Sequence, residues 1–281
     1  MEIKRADPTG PCYGINRALQ MAYETISSSP GPVFILGDLV HNPQVIKELE
    51  SQGVTTIDSI DEIEQGTVII RAHGVPPEVI EAAKAKGLTV VDATCPSVSR
   101  VHKIASKLKD TGHTVVVVGE HGHPEVVGTS AHAGDKAIVA QSPDDLLPND
   151  FPTGSHVGVV AQTTQTDENF NAIVDALRNT GIKLNDKDIN NTICNATQER
   201  QRAVGVLAAM VEVMIIIGGR KSSNTEKLFR ISSIACKTYH IESPDELKPE
   251  WFTEVKLVGV ATGASTPEKQ IAATEERLSA I

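Results

Sequence analysis

Three short patterns recur along this chain in step with one another, and that repetition limits the fold more than any other feature. Asp58-Ser-Ile-Asp-Glu-Ile, Gln141-Ser-Pro-Asp-Asp-Leu and Glu242-Ser-Pro-Asp-Glu-Leu are copies of one helix start, a capping serine followed by acids that favour a first turn. Their serines, at 59, 142 and 243, lie 83 and 101 residues apart, while Cys12, Cys95 and Cys194 lie 83 and 99 apart. A third series, His41-Asn-Pro-Gln, His123-Pro-Glu-Val and Ser223-Asn-Thr-Glu, steps by 82 and 100. Agreement of three series argues against chance and for three similar lobes, each contributing one cysteine.

The lobes read as α/β. Short β-branched runs, Val33–Leu36, Thr67–Ile70, Leu88–Val91, Thr114–Val118, His156–Val160, Val213–Ile217 and Lys256–Val260, are each followed by a helical pattern. Weaker runs stand at Glu2–Ala6 and Ala137–Ala140. Alternation of this kind predicts βαβ units and mostly parallel sheets whose strands are buried on both faces. A lobe of roughly 90 residues is small for independent stability, so the three are expected to pack in a pseudo-threefold arrangement about a shared centre. The expected divisions are 1–95, 96–192 and 193–267, with 268–281 packing back on the first lobe.

Composition excludes several functions. A formal net charge of −10, with Lys and Arg scattered among more carboxylates, argues against a nucleic-acid partner. The first residues carry charges where a secretory signal would need an apolar stretch, and no run approaches the roughly 18 residues of a membrane span. A cytoplasmic protein without a membrane partner is expected. Four cysteines in 281 residues are too sparse for a disulfide scaffold, and none form a CxxC pair.

Cys12, Cys95 and Cys194 each stand just before a helical pattern, where the helix dipole and free N–H groups stabilise a thiolate. Cys236 has no counterpart in the repeat and reads as structural. Three thiolates suit a four-iron cluster with one iron lacking a protein thiolate, or a zinc site with an exchangeable fourth ligand, and ligand counting leaves both open. Polar clusters follow the strong strands: His41-Asn42, His73-Gly74, His123 with Glu125, Gln162-Thr163-Thr164, Ser222-Ser223-Asn224, and Ser265. Parallel sheets place ligands at these carboxyl ends, and such hydroxyls, amides and imidazoles would cradle a small polyanion. Neither a GxxxxGK[ST] nor a GxGxxG motif is present, so no nucleotide or nicotinamide cofactor is indicated.

Taken together, His41-Asn-Pro, Ala72-His73-Gly74, Asp92-Ala-Thr-Cys95-Pro, Gly122-His123-Pro-Glu125-Val-Val-Gly-Thr, Ala161-Gln-Thr-Thr164, Thr192-Ile-Cys194-Asn-Ala-Thr, Ser222-Ser-Asn224 and Thr262-Gly-Ala-Ser265-Thr-Pro carry a specific resemblance. Over essentially its whole length the chain resembles the 4-hydroxy-3-methylbut-2-enyl diphosphate reductases, the last enzymes of the non-mevalonate route to isoprenoid precursors. The resemblance implies one 4Fe-4S cluster at the centre of the three lobes, held by Cys12, Cys95 and Cys194, with one iron left for substrate. It implies that His41, His73, Ser222, Ser223, Asn224 and Ser265 bind the diphosphate, and that His123 assists in binding and proton relay. Thr163, beside Thr164, would hold the substrate hydroxyl, and Glu125 would deliver the proton with which it leaves. Isopentenyl and dimethylallyl diphosphate would be the products, and a ferredoxin- or flavodoxin-like protein the electron donor. The rival readings are a three-cysteine zinc hydrolase of a small phosphorylated metabolite and a non-catalytic iron-sulfur metabolite sensor.

Overall fold

A computed structural model of the chain describes residues 1–147, 150–151, 154–180 and 182–281. The chain begins with β1 (Glu2–Arg5), α1 (Tyr13–Ser28), β2 (Val33–Leu36), α2 (Pro43–Ser51), β3 (Val54–Ile57), β4 (Thr67–Ile70), α3 (Pro77–Ala85) and β5 (Thr89–Asp92). It continues through α4 (Pro96–Asp110), β6 (Thr114–Val118), α5 (Pro124–Ala133), β7 (Ile138–Ala140), β8 (His156–Ala161), α6 (Asp167–Asn179) and β9 (Lys183–Ile189). The last elements are α7 (Asn195–Ala208), β10 (Val213–Ile217), α8 (Ser223–Ala235), β11 (Lys237–Ile241), β12 (Leu257–Thr262) and α9 (Glu268–Ser279).

The strands form three four-stranded sheets, in the orders β3-β2-β4-β5, β7-β6-β8-β9 and β11-β10-β12-β1. Every strand pair is parallel. The three orders are a single topology, as the α/β reading expects, with β1 filling in the third sheet the place that β5 and β9 fill in the others. The sequence division groups Glu2–Arg5 with residues 1–95, yet this strand pairs with β12, Ile3 lying opposite Val258. Intervals between cysteines carry no information about which strand precedes each one, and the open ladder of β12 needs a parallel partner wherever the chain can supply it. The C-terminal helix α9 seats Leu278 in the core of that same sheet, and Glu268 at its start pairs with Arg5 of β1 at 2.7 Å.

The contacts group the chain into two compact units. One comprises Met1–Asn16, Val40–Ser51 and Asn195–Ile281 and contains the third sheet; the other comprises Arg17–Leu39 and Gln52–Cys194 and contains the first two. In the first unit the strand period of two sorts β10 between two cores. Met214 and Ile216 pack with Leu207 and Leu228 on one face, and Val213, Ile215 and Ile217 pack with Phe252 and Leu278 on the other. In the second unit Val116 and Val118 of β6 meet Phe170 and Ile173 of α6, while Val115 and Val117 meet Val101 and Leu108 of α4. Each such fully buried aliphatic side chain stabilises the fold by roughly 1.5–3 kcal/mol.

The three repeated serine motifs do start helices, but short 3-10 turns at Ile60–Glu62, Pro143–Asp145 and Pro244–Glu246. In each, the acid of the turn accepts the serine's own N–H: Glu62 from Ser59 at 2.8 Å, Asp145 from Ser142 at 2.9 Å and Glu246 from Ser243 at 3.0 Å.

Helix α4 lies close on β8 because residue 158 has no side chain. A Cβ at Gly158 would stand 2.7–3.0 Å from both methyls and the branching carbon of Leu108, which cannot turn all three aside. Gly158→Val is therefore expected to overpack this layer and lower stability by about 1–3 kcal/mol in urea unfolding. An unchanged urea midpoint would show that α4 can move away freely.

Candidate active site

The three repeated cysteines occupy the same local frame. The backbone N–H of Cys12 donates to the carbonyl of Ala264 (3.0 Å), that of Cys95 to Ala72 (2.9 Å) and that of Cys194 to Thr163 (3.0 Å). The three acceptors each lie two residues beyond a strand end, after β12, β4 and β8 respectively. The helices α1, α4 and α7 then start immediately after the cysteines, the carbonyls of Cys12 and Cys95 accepting the first helical bonds from Asn16 and Ser99 at 2.9 Å. Each thiol thus stands at a helix N-terminus. All four cysteines are half-buried, and none is in a disulfide. Cys236 is different in kind: it closes α8, its N–H bonds Ser232 in its own helix, and burial pushes its thiol pKa up.

Within the second unit, the strand ends bring Glu125, Thr163, His123 and His73 together. Glu125 sits in the first turn of α5 and is buried. One carboxylate oxygen accepts the N–H of Thr163 at 2.6 Å, and the other accepts the Thr163 hydroxyl at 2.8 Å. His123 caps α5, its Nδ1 accepting the N–H of Glu125 at 3.1 Å, so Nε2 is the nitrogen that carries the proton in a neutral ring. The ring of His73, three residues beyond the end of β4, meets His123 edge-on with centroids 5.6 Å apart. Thr164 accepts a bond from the Gln162 amide at 2.9 Å, and the Gln162 carbonyl oxygen accepts the N–H of Glu120 at 2.9 Å.

Within the first unit, His41, Ser222, Ser223, Asn224 and Ser265 gather at the ends of β10 and β12. A Cβ on Gly219 would lie 2.3 Å from the His41 carbonyl, so a glycine is required for this approach. Asn42 donates to the Ser265 carbonyl at 2.9 Å while its own oxygen accepts from Gln44 at the start of α2, which ties the His41 and Ser265 loops together. Ser222 caps α8 through the N–H of Thr225, and Ser223 accepts from Lys227 at 2.7 Å. Asn224 is only 4% exposed, and neither its amide nitrogen nor its oxygen has a partner among the described residues. A buried amide left in this state at a helix N-terminus is suited to a polar ligand. The sequence singles out the histidines, serines and Asn224 and places Asn42 and Gln162 in the polar clusters after the strands without a role of their own; Lys227 has no such signal.

Behind His73, Gly74 adopts φ +72° and leaves room for His102 of α4, whose Cε1 would stand 2.7 Å from a Cβ at position 74. His102 is buried and stacks on His132 with centroids 4.1 Å apart. Burial, with a smaller contribution from His132, lowers its pKa from 6.5 to about 4 against the opposing charge of Asp92.

The three-sheet α/β fold with a cysteine hooked beside each sheet defines the class, and comparison with known proteins identifies it. The chain belongs to the LytB protein family, whose model matches residues 3–279. The 4-hydroxy-3-methylbut-2-enyl diphosphate reductase of Aquifex aeolicus is 43% identical over 285 residues, covering 100% of this chain and 97% of that protein. The enzyme of the same name from Geobacter sulfurreducens is 42% identical, covering 99% and 97%. A solved structure of (E)-4-hydroxy-3-methyl-but-2-enyl diphosphate reductase, the terminal enzyme of the non-mevalonate pathway, is 43% identical with a TM-score of 0.73 and full coverage of both chains. The E-1-hydroxy-2-methyl-but-2-enyl-4-diphosphate reductase from Plasmodium falciparum superposes with a TM-score of 0.90 at 28% identity, covering 99% and 87%.

The depressed pKa of His102 gives a pH dependence with a definite sign. Between about 4 and 6.5 the unfolded chain binds the proton that folded His102 refuses, so its contribution is fully present above pH 6.5 and is lost as pH falls toward 4. The loss is on the order of 3 kcal/mol. Urea unfolding at pH 7 and pH 5 should show the unsubstituted protein weakening more than His102→Phe; equal pH slopes would remove His102 as the source.

Proposed function

We infer that this chain is an oxidoreductase that reduces 4-hydroxy-3-methylbut-2-enyl diphosphate, the terminal step of the non-mevalonate pathway, removing the allylic hydroxyl as water and leaving isopentenyl or dimethylallyl diphosphate. The reading rests on family membership over the full length, and the structural observation that carries it is the frame shared by Cys12, Cys95 and Cys194. These three thiols hold one 4Fe-4S cluster. The donor set fits: three half-buried sulfurs, each at a helix N-terminus that stabilises its negative charge. When bound, the cluster supplies electrons one at a time and a Lewis-acidic iron that no protein thiolate occupies.

The chain's own residues do the remaining work. His41, His73, Ser222, Ser223, Asn224 and Ser265, together with His123 and Thr164, bind the diphosphate. Support comes from the partnerless amide of Asn224, from the cap at the start of α8, and from Lys227, whose charge sits 2.7 Å from the Ser223 hydroxyl. Because the Thr163 hydroxyl gives its hydrogen to Glu125, its oxygen is left as an acceptor that orients the substrate hydroxyl. Glu125 is buried and bonded through both oxygens to Thr163; once protonated it would donate through the reversed hydroxyl bond to Thr163, whose own hydrogen would go to the departing oxygen. Two electrons and two protons balance the loss of water. A ferredoxin- or flavodoxin-like carrier in the cytoplasm delivers the electrons; none of the described helices is long and apolar enough to cross a membrane.

Anaerobic reconstitution followed by spectroscopy and a dithionite-driven assay tests this reading. A brown protein whose iron spectrum shifts on adding the diphosphate, and which then consumes reductant, is expected; a colourless zinc protein would return the site to a hydrolase. Glu125→Gln should keep the cluster and substrate binding while turnover falls by about 10²–10⁴-fold. Near-normal turnover would remove Glu125 as proton donor. Cys236→Ser should retain the full iron absorbance, and its loss would mean that the ligand set is wrong.

A further inference from the structure

Arg200 is a cation that the protein buries without an anion. It is 4% exposed, it forms no ion pair among the described residues, and its Nε has no hydrogen-bond partner there. Its other two nitrogens donate to backbone carbonyls: one at 3.1 Å to Ala196 in the first turn of α7, and one at 2.8 Å to Gly10. Gly10 is two residues before Cys12, and its own N–H is fixed by the Thr262 hydroxyl at 2.8 Å. A second arginine makes a related contact. Arg17 of α1 donates at 3.1 Å to the carbonyl of Thr94, the residue immediately before Cys95, and it too has no ion pair among the described residues. Arg17 follows Cys12 by five positions and Arg200 follows Cys194 by six, so the helix after one cysteine grips the loop that enters another. Arg100, at the corresponding place after Cys95, is exposed.

Burying a guanidinium without a counter-charge is unfavourable, and two carbonyl oxygens offset only part of the lost hydration. On the cluster reading, the missing negative charge has a natural source in the Cys12 thiolate, two residues from the Gly10 carbonyl that Arg200 holds, and in the iron-sulfur core that this thiolate would ligate. We propose that Arg200, assisted by Arg17, is a positioning residue of the cluster site: it clamps the loop that carries Cys12 and sets the cluster's reduction potential through its fixed positive charge. The inference rests on the cluster reading above. A nearby cation favours the more negative, reduced cluster, so it raises the potential; removing it makes the cluster harder to reduce.

The test compares Arg200→Met, which loses charge and donors, with Arg200→Lys, which keeps the charge. The midpoint potential of the reconstituted cluster, followed by visible absorbance, should move to more negative values in Arg200→Met and recover most of the way in Arg200→Lys. Iron loss to a chelator should quicken about 10-fold in Arg200→Met, the effect typical of an outer-shell partner. An unchanged potential in Arg200→Met, or an equal fall in Arg200→Lys, overturns the electrostatic role. If Arg200→Met does not fold, Arg17→Met carries the same measurement, with the same two outcomes. Alkylation of Cys12 by iodoacetamide in the cluster-free protein scores the clamp separately: faster labelling in Arg200→Met is expected, and an unchanged rate overturns the clamp. A colourless unsubstituted protein would refute the cluster while leaving the alkylation comparison valid.

Discussion

The bond from a cysteine N–H to the carbonyl two residues past a central strand is the constraint on which this architecture depends. It appears three times, at Cys12, Cys95 and Cys194, with lengths between 2.9 and 3.0 Å. It fixes the turn that carries the thiol against the sheet, and it requires that the preceding strand lie next to the strand that supplies the carbonyl. That adjacency is β5 beside β4, β9 beside β8 and β1 beside β12. Sheet order and thiol position are therefore one requirement, and the helix that follows each cysteine inherits its start from the same bond.

Thr163 shows how closely the acid is tied to this frame. Its carbonyl receives the N–H of Cys194, while its N–H and hydroxyl both go to Glu125. A shift of the cysteine loop would be transmitted to the carboxylate through a single residue. Both oxygens of Glu125 are engaged, and the helix cap supplied by His123 fixes its backbone, so this buried carboxyl has little freedom to turn.

Much of this was legible in the sequence because it is written in periodic or repeated form. The central strands β2, β4, β6, β8, β10 and β12 are continuous apolar runs, as burial on both faces demands, and all appear as such. The strands that escaped notice, β3, β9 and β11, all lie at sheet edges, where one side of the ladder meets solvent and an apolar run is not needed. β9, Lys183–Ile189, is mostly charged or polar. Repetition exposed the cysteines and the serine turns, though it could not show that those turns end after one 3-10 step. Nor could it reveal that β1 serves the third sheet, since that depends on pairing Glu2 with Leu257, 257−2 = 255 positions away. Asn42, Gln162 and Arg200 act through backbone groups of residues far away in the sequence, and such partners leave no local pattern.

The contribution of β1 to the third sheet also has a temporal meaning. During synthesis, everything in the unit that ends at Cys194 has emerged before β10 or β12 exists, so Cys95 and Cys194 can take up their positions while the chain is still growing. Cys12, although made first, has no carbonyl to anchor it until Ala264 has been added. The earliest thiol is the last to be set in place, and the cell must keep it reduced and unreacted for nearly the entire time the protein takes to make.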